Sequence, residues 1–423
     1  MGSAGSKWTR AAAAAWAAVA AGTVALACGN QLTLAPDTSE GGADGNALSD
    51  AADAATRQDG NADGGPTEVT LGNVKVSLEQ SILDVVAGDS TPVTFKVLVA
   101  RQFNDTSTVT LSYAAPNDLA IEKIQPILGS ATAATAKVQA ASLAMPRRTV
   151  MDIGVQAGTT TATLHLTFLI SRAFRTSGAS VFDLPPGDGP QILDVVAWGA
   201  GGDRGGGGGF VSGIVNVPAG MRFQVSVGAP GTLSGTTVFG GGGAGGDALG
   251  GLSNGSGGGG YSGIFVGPTA TLNEAKLIAG GGGGGAFTTG GPIARGGGGG
   301  SIGSSAAMNG TGTEFGGGGG ATGFGLGGGN GADGASGGEL MGGAGRADVT
   351  VPGGGGGGGI YGGGGGGNES GGGGGGSRTP PGGTSMVGSN LGIAGNDSDA
   401  RRMGAGNATG SPASAGAVIV KPQ

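Results

Sequence analysis

Two reactive side chains are almost missing from this chain: its 423 residues include one cysteine, Cys28, and one histidine, His165. A single thiol excludes an intrachain disulfide and any cysteine-rich metal centre. Aromatic residues make up 4% and charged residues 12%, both low against average usage, so acid–base catalysis has few candidates. Lysine and arginine number 21 against 28 acidic residues, for a formal charge of −7 and a pI near 4.7. The cations are scattered, with Arg147-Arg148 and Arg401-Arg402 the only adjacent pairs. Nucleic acid is therefore not expected as a partner, because counterion release needs clustered Lys and Arg. Gly-Lys-Ser and Gly-Lys-Thr are absent, which removes a P-loop. Neither His-Arg-Asp nor Asp-Phe-Gly occurs, which removes a protein kinase. No stretch after residue 27 is long and apolar enough to span a bilayer.

The N-terminus has the character of a signal peptide over residues 1–27. Lys7 and Arg10 give a positive flank, residues 11–27 are apolar and alanine-rich, and Ala25-Leu26-Ala27 puts small residues at a cleavage position after Ala27. Cys28 follows directly. Its placement resembles a bacterial lipobox, with the usual leucine one position late at Leu26, and the resemblance implies lipidation at Cys28. The expected address is the outer membrane or cell surface, reached by a lipid anchor. The alternative is ordinary secretory cleavage, which would leave a free thiol on a secreted protein.

Three further segments follow. Residues 28–67 are rich in Asp, Ala, Gly, Ser and Thr, with almost no large apolar residue, and predict a disordered tether. Residues 68–175 alternate apolar and polar positions, as in Val74-Lys75-Val76-Ser77-Leu78 and Thr161-Ala162-Thr163-Leu164-His165-Leu166. Six or seven short strands punctuated by Gly88-Asp89, Asn104-Asp105 and Ala157-Gly158 predict an antiparallel β-sandwich, and their spacing resembles the immunoglobulin-like domains of bacterial surface proteins, which implies a spacer module. Residues 176–423 open with strand patterns at Ile192-Leu193-Asp194-Val195-Val196-Ala197-Trp198 and Phe210-Val211-Ser212-Gly213-Ile214-Val215. The segment closes with Ala417-Val418-Ile419-Val420, which is expected to pair back to close the sheet.

What the chain has in excess is glycine. Of 107 glycines only 18 precede Trp198, and uninterrupted runs occupy 205–209, 240–243, 257–260, 280–285, 296–300, 316–320, 353–359, 362–367 and 371–376. Bare backbone offers no catalytic group. Ordering it costs about 1–2 kcal/mol per residue, which only main-chain contacts can return. Polyproline-II helices have three residues per turn and no internal hydrogen bonds, so their N–H and C=O groups are free to bond neighbouring helices. A helix enclosed on every side needs glycine at every position. The pure runs meet that demand, and no Gly-X-Y period appears. Phe210, Phe239, Tyr261, Phe287, Phe315 and Tyr361 stand beside the runs and are expected to pin them into an apolar layer.

The order Val195-Val196-Ala197-Trp198-Gly199-Ala200-Gly201-Gly202, then Gly257-Gly258-Gly259-Gly260-Tyr261-Ser262-Gly263, then Leu277-Ile278-Ala279-Gly280-Gly281-Gly282-Gly283 resembles a known domain. It is similar to the glycine-rich domain of the anaplastic lymphoma kinase and leukocyte tyrosine kinase receptors, also found in bacterial and phage surface proteins. The resemblance covers residues 180–423 and does not extend to a kinase. It implies a β-sandwich carrying hexagonally packed polyproline-II glycine helices, used in ligand or partner recognition.

Other motifs carry less. Gly251-Leu252-Ser253-Asn254-Gly255 matches a nucleophile elbow, but the only histidine lies on a strand of the other domain, where a sandwich residue is the expected role. Gly242-Gly243-Ala244-Gly245-Gly246-Asp247 and Gly328-Gly329-Asn330-Gly331-Ala332-Asp333 imitate calcium-binding nonapeptides, yet such sites need tandem turns that share ligands. No catalytic, cofactor or metal residue is assigned. The fold class is all-β. The expected function is non-enzymatic adhesion or ligand binding at the cell surface, toward a protein or carbohydrate, through the aromatics and the polar loops 309–314 and 390–402. The alternative is an envelope or matrix protein assembling through its glycine helices.

Overall fold

A computed structural model describes residues 65–423, apart from 234–235, 250–253, 289–290, 301–305, 321, 324, 326–333, 349 and 409–412. The signal segment with Ala27, Cys28 and most of the expected tether lie outside the described residues, as do Ser253 and Asp333. No α-helix occurs among the described residues, and the protein is all-β.

The first lobe contains β1 (Glu68–Leu71), β2 (Val74–Leu78), β3 (Ile82–Val86), β4 (Val93–Arg101), β5 (Val109–Tyr113), β6 (Leu119–Ile121), β7 (Ala133–Ala140), β8 (Arg147–Ala157) and β9 (Thr160–Phe174). One sheet runs β1-β2-β4-β7-β6, and the facing strands run β3-β9-β8-β5. Alternate residues point inward, so Val76, Phe95, Val97, Val138, Ile153, Leu164, Leu166 and Phe168 form one buried core. Each such side chain contributes about 1.5–3 kcal/mol on burial. The β8–β9 hairpin turns at Gly158, whose φ of 59° is a left-handed value that glycine takes without a Cβ clash.

Two features differ from the sequence expectation. Nine strands form where the alternation predicts six or seven, because β7, Ala-Ala-Thr-Ala-Lys-Val-Gln-Ala, carries too little apolar bulk to stand out. The sandwich is also not wholly antiparallel, since β3 lies parallel to β9 with Ile82 opposite Thr167.

The second lobe contains β10 (Gly178–Asp183), β11 (Gln191–Trp198), β12 (Phe210–Val217), β13 (Arg222–Val227), β14 (Ser262–Val266), β15 (Ala275–Ala279), the short pair β16 (Ala286–Thr288) and β17 (Gly291–Ala294), β18 (Thr384–Met386) and β19 (Ala417–Pro422). A four-stranded sheet, β10-β13-β14-β15, covers the β18-β12-β11-β19 strands. Leu193, Val195, Val215, Phe223, Val225, Ile264, Leu277 and Val418 fill the space between them. The final strand, β19, sits in the middle of its sheet, paired to β11 on one side and to Arg172, Ala173 and Phe174 of β9 on the other.

β9 therefore belongs to both lobes, and a single eight-stranded sheet, β18-β12-β11-β19-β9-β8-β5 with β3 paired alongside β9, passes through the expected boundary at residue 175. Side chains reinforce the joint. Gln191 accepts from the Arg148 amide at 2.6 Å and donates to the Arg148 carbonyl at 3.2 Å. Arg175 donates to the carbonyls of Arg401 and Arg402.

Candidate functional site

The glycine runs grow directly from the strand ends. β11 ends at Trp198, which is fully buried against Phe210 with ring centroids 5.3 Å apart, and the chain then enters Gly199-Ala200-Gly201-Gly202. β15 continues into run 280–285 without a turn. That run lies at the centre of the array. Gly281 and Gly284 donate their amides to Gly358 and Gly355, both at 2.7 Å. Gly282 and Gly285 donate to Ala200 and Asp203, and Gly283 donates to Gly297. The carbonyls accept in turn: those of Gly280 and Gly283 from Gly209 and Gly206, those of Gly281 and Gly284 from Gly375 and Gly372, and those of Gly282 and Gly285 from Gly259 and Ser256. Six different segments thus enclose one run.

Partners repeat every third residue. Gly354, Gly357 and Ile360 donate to Ser370, Gly373 and Gly376, and Gly363 and Gly366 donate to Gly357 and Gly354. A strand would alternate with period two, and an α-helix would bond within itself. None of the bonds just named is internal to a run. The third direction at each residue, where a Cβ would stand, is also occupied. Every glycine of 280–285, 353–359 and 371–376 would place a Cβ within 3.0 Å of neighbouring backbone. Alanine is thus excluded by contact, although it would cost less entropy to order than glycine.

Serines seal the array, a device the sequence reading missed. Ser262 and Ser377 are buried, and their hydroxyls accept the Gly228 and Gly280 amides, each at 3.0 Å. The buried Ser370 hydroxyl accepts from the Glu314 amide and donates to the Asn368 carbonyl. Ser256 donates to the Asp203 carboxylate at 2.9 Å. Ser256, Ser370 and Ser377 stand directly beside a run and Ser262 follows Tyr261 at the end of one, and that position in the sequence is the signal that could have identified them.

The expected pins divide. Phe210 is buried, and Tyr261 packs on Phe265 at 5.9 Å. Phe239 and Phe315 are instead exposed, at 44% and 42%, because they sit on turns at the edge of the array and not over the sheet. Tyr361 is half-buried beside Glu339, and the Phe287 side chain lies outside the description.

Much of the polarity in the two expected recognition loops is used internally. In loop 309–314, Asn309 accepts from the Gly318 amide, Thr311 from the Arg295 amide and Glu314 from the Asn368 amide. In loop 390–402, Arg401 binds Asp399 at 2.8 Å, and this bond holds the Asp399 carboxyl below its ordinary range. Arg402 is buried and donates to the Ala405 carbonyl and the Asn407 side chain. These loops and the neighbouring turns also leave apolar side chains to solvent, Leu391 at 58%, Met341 at 54% and Met403 at 78%, beside the exposed Asn309, Thr313, Asp397 and Arg401.

His165 lies on β9 with its Nδ1 2.7 Å from Asp152 of β8, a cross-strand pair on the first lobe. Asp247 uses its carbonyl to accept the Asp348 amide. Asp348 turns its carboxylate to the Thr350 hydroxyl and amide, which lower its pKa. Among the described residues no group of three or more His, Cys, Asp or Glu side chains could hold a metal ion. No helix of the described residues is long and apolar enough to cross a membrane.

No protein-family model matches this chain, and no curated protein matches it.

Proposed function

We propose that this chain is an exported surface protein, anchored through a lipid on Cys28, whose glycine-rich lobe binds a protein or carbohydrate ligand without catalysing a reaction. The first lobe, read as an immunoglobulin-like module, serves as a spacer. The glycine runs are read as polyproline-II helices in a hexagonal bundle, as in the receptor domain that residues 180–423 resemble. The three-residue repeat of donors and acceptors supports that reading.

One observation carries the recognition role. The interior of the array uses its amides and carbonyls on itself, so contact with a partner falls to the rim, where Phe239, Phe315, Met341, Leu391 and Met403 stand exposed. Aromatic and methionine side chains are the types enriched at interface cores.

Acyl labelling of cells with an alkyne fatty acid should tag the wild-type chain and leave Cys28→Ser unlabelled. Binding of the purified chain to immobilised glycans and surface proteins should weaken at least tenfold for Phe239→Ser with Phe315→Ser. A wild-type chain that sediments as an open-ended series with rising concentration would replace this reading with matrix assembly.

A further inference from the structure

We infer that the outer edge of β12 captures an extended, acidic segment of a partner protein, which adds to the sheet as a strand beside Ile214 and Asn216. β12 pairs with β11 along its whole length, from Phe210 to Val217, but with β18 only over Phe210, Val211 and Ser212. The Gly199 amide donates to the Gly209 carbonyl in the first of these ladders, so Val211, Gly213, Val215 and Val217 turn their amides and carbonyls to β11. Those of Ile214 and Asn216 point the other way, and no backbone bond from another described segment reaches them. Strand addition uses such an edge, because main-chain bonds supply the affinity and side-chain pockets the specificity.

The edge is open because the chain turns off it. Continued straight, β18 would have set Gly382 opposite Ile214 and Pro380 opposite Asn216. Instead the Gly383 amide donates to the Pro380 carbonyl at 2.9 Å and Gly382 takes a φ of 73°, a turn whose third residue needs a left-handed conformation. The turn carries Pro380 onto Gly213, where a Cβ would meet its ring. The chain then reaches Arg378, whose amide and carbonyl bond Ile278 of β15 at 2.8 and 2.9 Å. Between β12 and β15 this leaves a groove of about 360 Å³, lined by Ile214, Asn216, Lys276 and Arg378 among others.

Charge selects the occupant. Lys276 and Arg378 are the charged residues of the groove, and both are exposed. Arg378 holds the Leu272 carbonyl at 3.0 Å, which fixes its guanidinium there. The acids beside these strands answer other groups: Glu274 accepts from the Thr269 and Thr271 amides, and Asp194, opposite Ile214, attracts Arg401. A second copy of this edge would bring its own Lys276 and Arg378 toward the first pair, and lysine at an open edge guards against such pairing. An acidic strand meets the same cations as partners. Side chains of an added strand alternate between faces, so acids at every second position face the groove while apolar ones lie beside the exposed Ile214 and Ile192. None of the rim residues named above takes part.

The probe is a fluorescein-labelled peptide of alternating valine and glutamate, titrated with the purified full chain and read by fluorescence anisotropy. Saturable binding is expected, weakened about tenfold when alternate peptide amides are N-methylated and about tenfold when lysine replaces glutamate. Ile214→Pro should abolish it, since an edge position with an unpaired amide accommodates proline, and thermal melting reports whether the variant is folded. The N-methylated peptide tests the same contact with the protein unchanged. Lys276→Glu should reverse the preference toward the lysine peptide. No saturable binding, N-methylation without effect, or an unchanged preference in Lys276→Glu overturns the inference. So does a wild-type dimer that Ile214→Pro dissolves, because a second copy would then hold the edge. The peptide should bind Phe239→Ser with Phe315→Ser as it binds the wild type, and its loss there would place it on the rim.

Discussion

The buried guanidinium of Arg147 reaches the Asp188 carboxylate at 2.9 Å while also holding Asp118 at 3.0 Å. Asp118 belongs to the first lobe, and Asp188 to the turn that leads into β11 of the second, so one cation bridges both. Removing it strands two partly shielded carboxylates, and loss of one partner from a buried pair costs about 3–5 kcal/mol. Since Asp118 is 29% exposed, the lower part of that range or somewhat less is expected for Arg147→Ala. Urea unfolding should show the loss as a shift in midpoint. A change below about 0.5 kcal/mol would mean that the shared sheet alone joins the lobes.

Gly283→Ala and Gly356→Val test the array. A Cβ at Gly283 would run into the Gly372 carbonyl, and one at Gly356 into that of Gly363. Main chain enclosed on all sides cannot step aside, so a loss of 3 kcal/mol or more is expected, at or beyond the upper end for overpacking. Gly323→Ala, where nothing lies within 4 Å, should be neutral or slightly stabilising. In the wild type, amides of 281–285 and 372–376 should exchange with deuterium as slowly as those of β11. Exchange at random-coil rates there would refute the packed array.

Ser377→Ala leaves the Gly280 amide buried without its acceptor. An unpaired buried donor costs about 1–3 kcal/mol. Ser377→Gly should cost as much, which separates loss of the hydroxyl from loss of volume. If both variants melt with the wild type, Gly280 has found another acceptor.

Acid should weaken the fold through its paired carboxylates. Asp183 is held below its ordinary pKa of 3.8 by the Arg222 guanidinium, which donates from Nε at 2.7 Å, and Asp399 is held down by Arg401. A carboxyl with a depressed folded pKa contributes stability that is present above its unfolded value and lost as pH falls through the folded one. The melting temperature should therefore be insensitive to these groups near neutrality and should drop below pH 3.8. Arg222→Gln should flatten that drop. An unchanged acid slope in the variant would show that the Asp183 pair contributes nothing.

Local pattern determined more of the second lobe than composition would suggest. The strands around Val195, Val211 and Val418 alternate or run apolar as buried strands must, and each forms where the sequence predicts it. The demand for pure glycine was also readable from the chain, because enclosure on every side leaves no room for a Cβ. The pinning role was readable for Phe210, whose neighbours are apolar strands, but not for Phe239 and Phe315. Their exposure depends on where turns fall at the array's edge.

Only the tertiary structure decided the partners. A glycine run looks the same from every side, so nothing local tells Gly281 to bond Gly358 or Gly283 to bond Gly297. The pairing of β3 alongside β9, the central place of β19 and the sheet shared by both lobes are likewise contacts between residues far apart in sequence. They are set by which surfaces bury together, and period-two alternation, which names the inward face of a strand, does not name its neighbour.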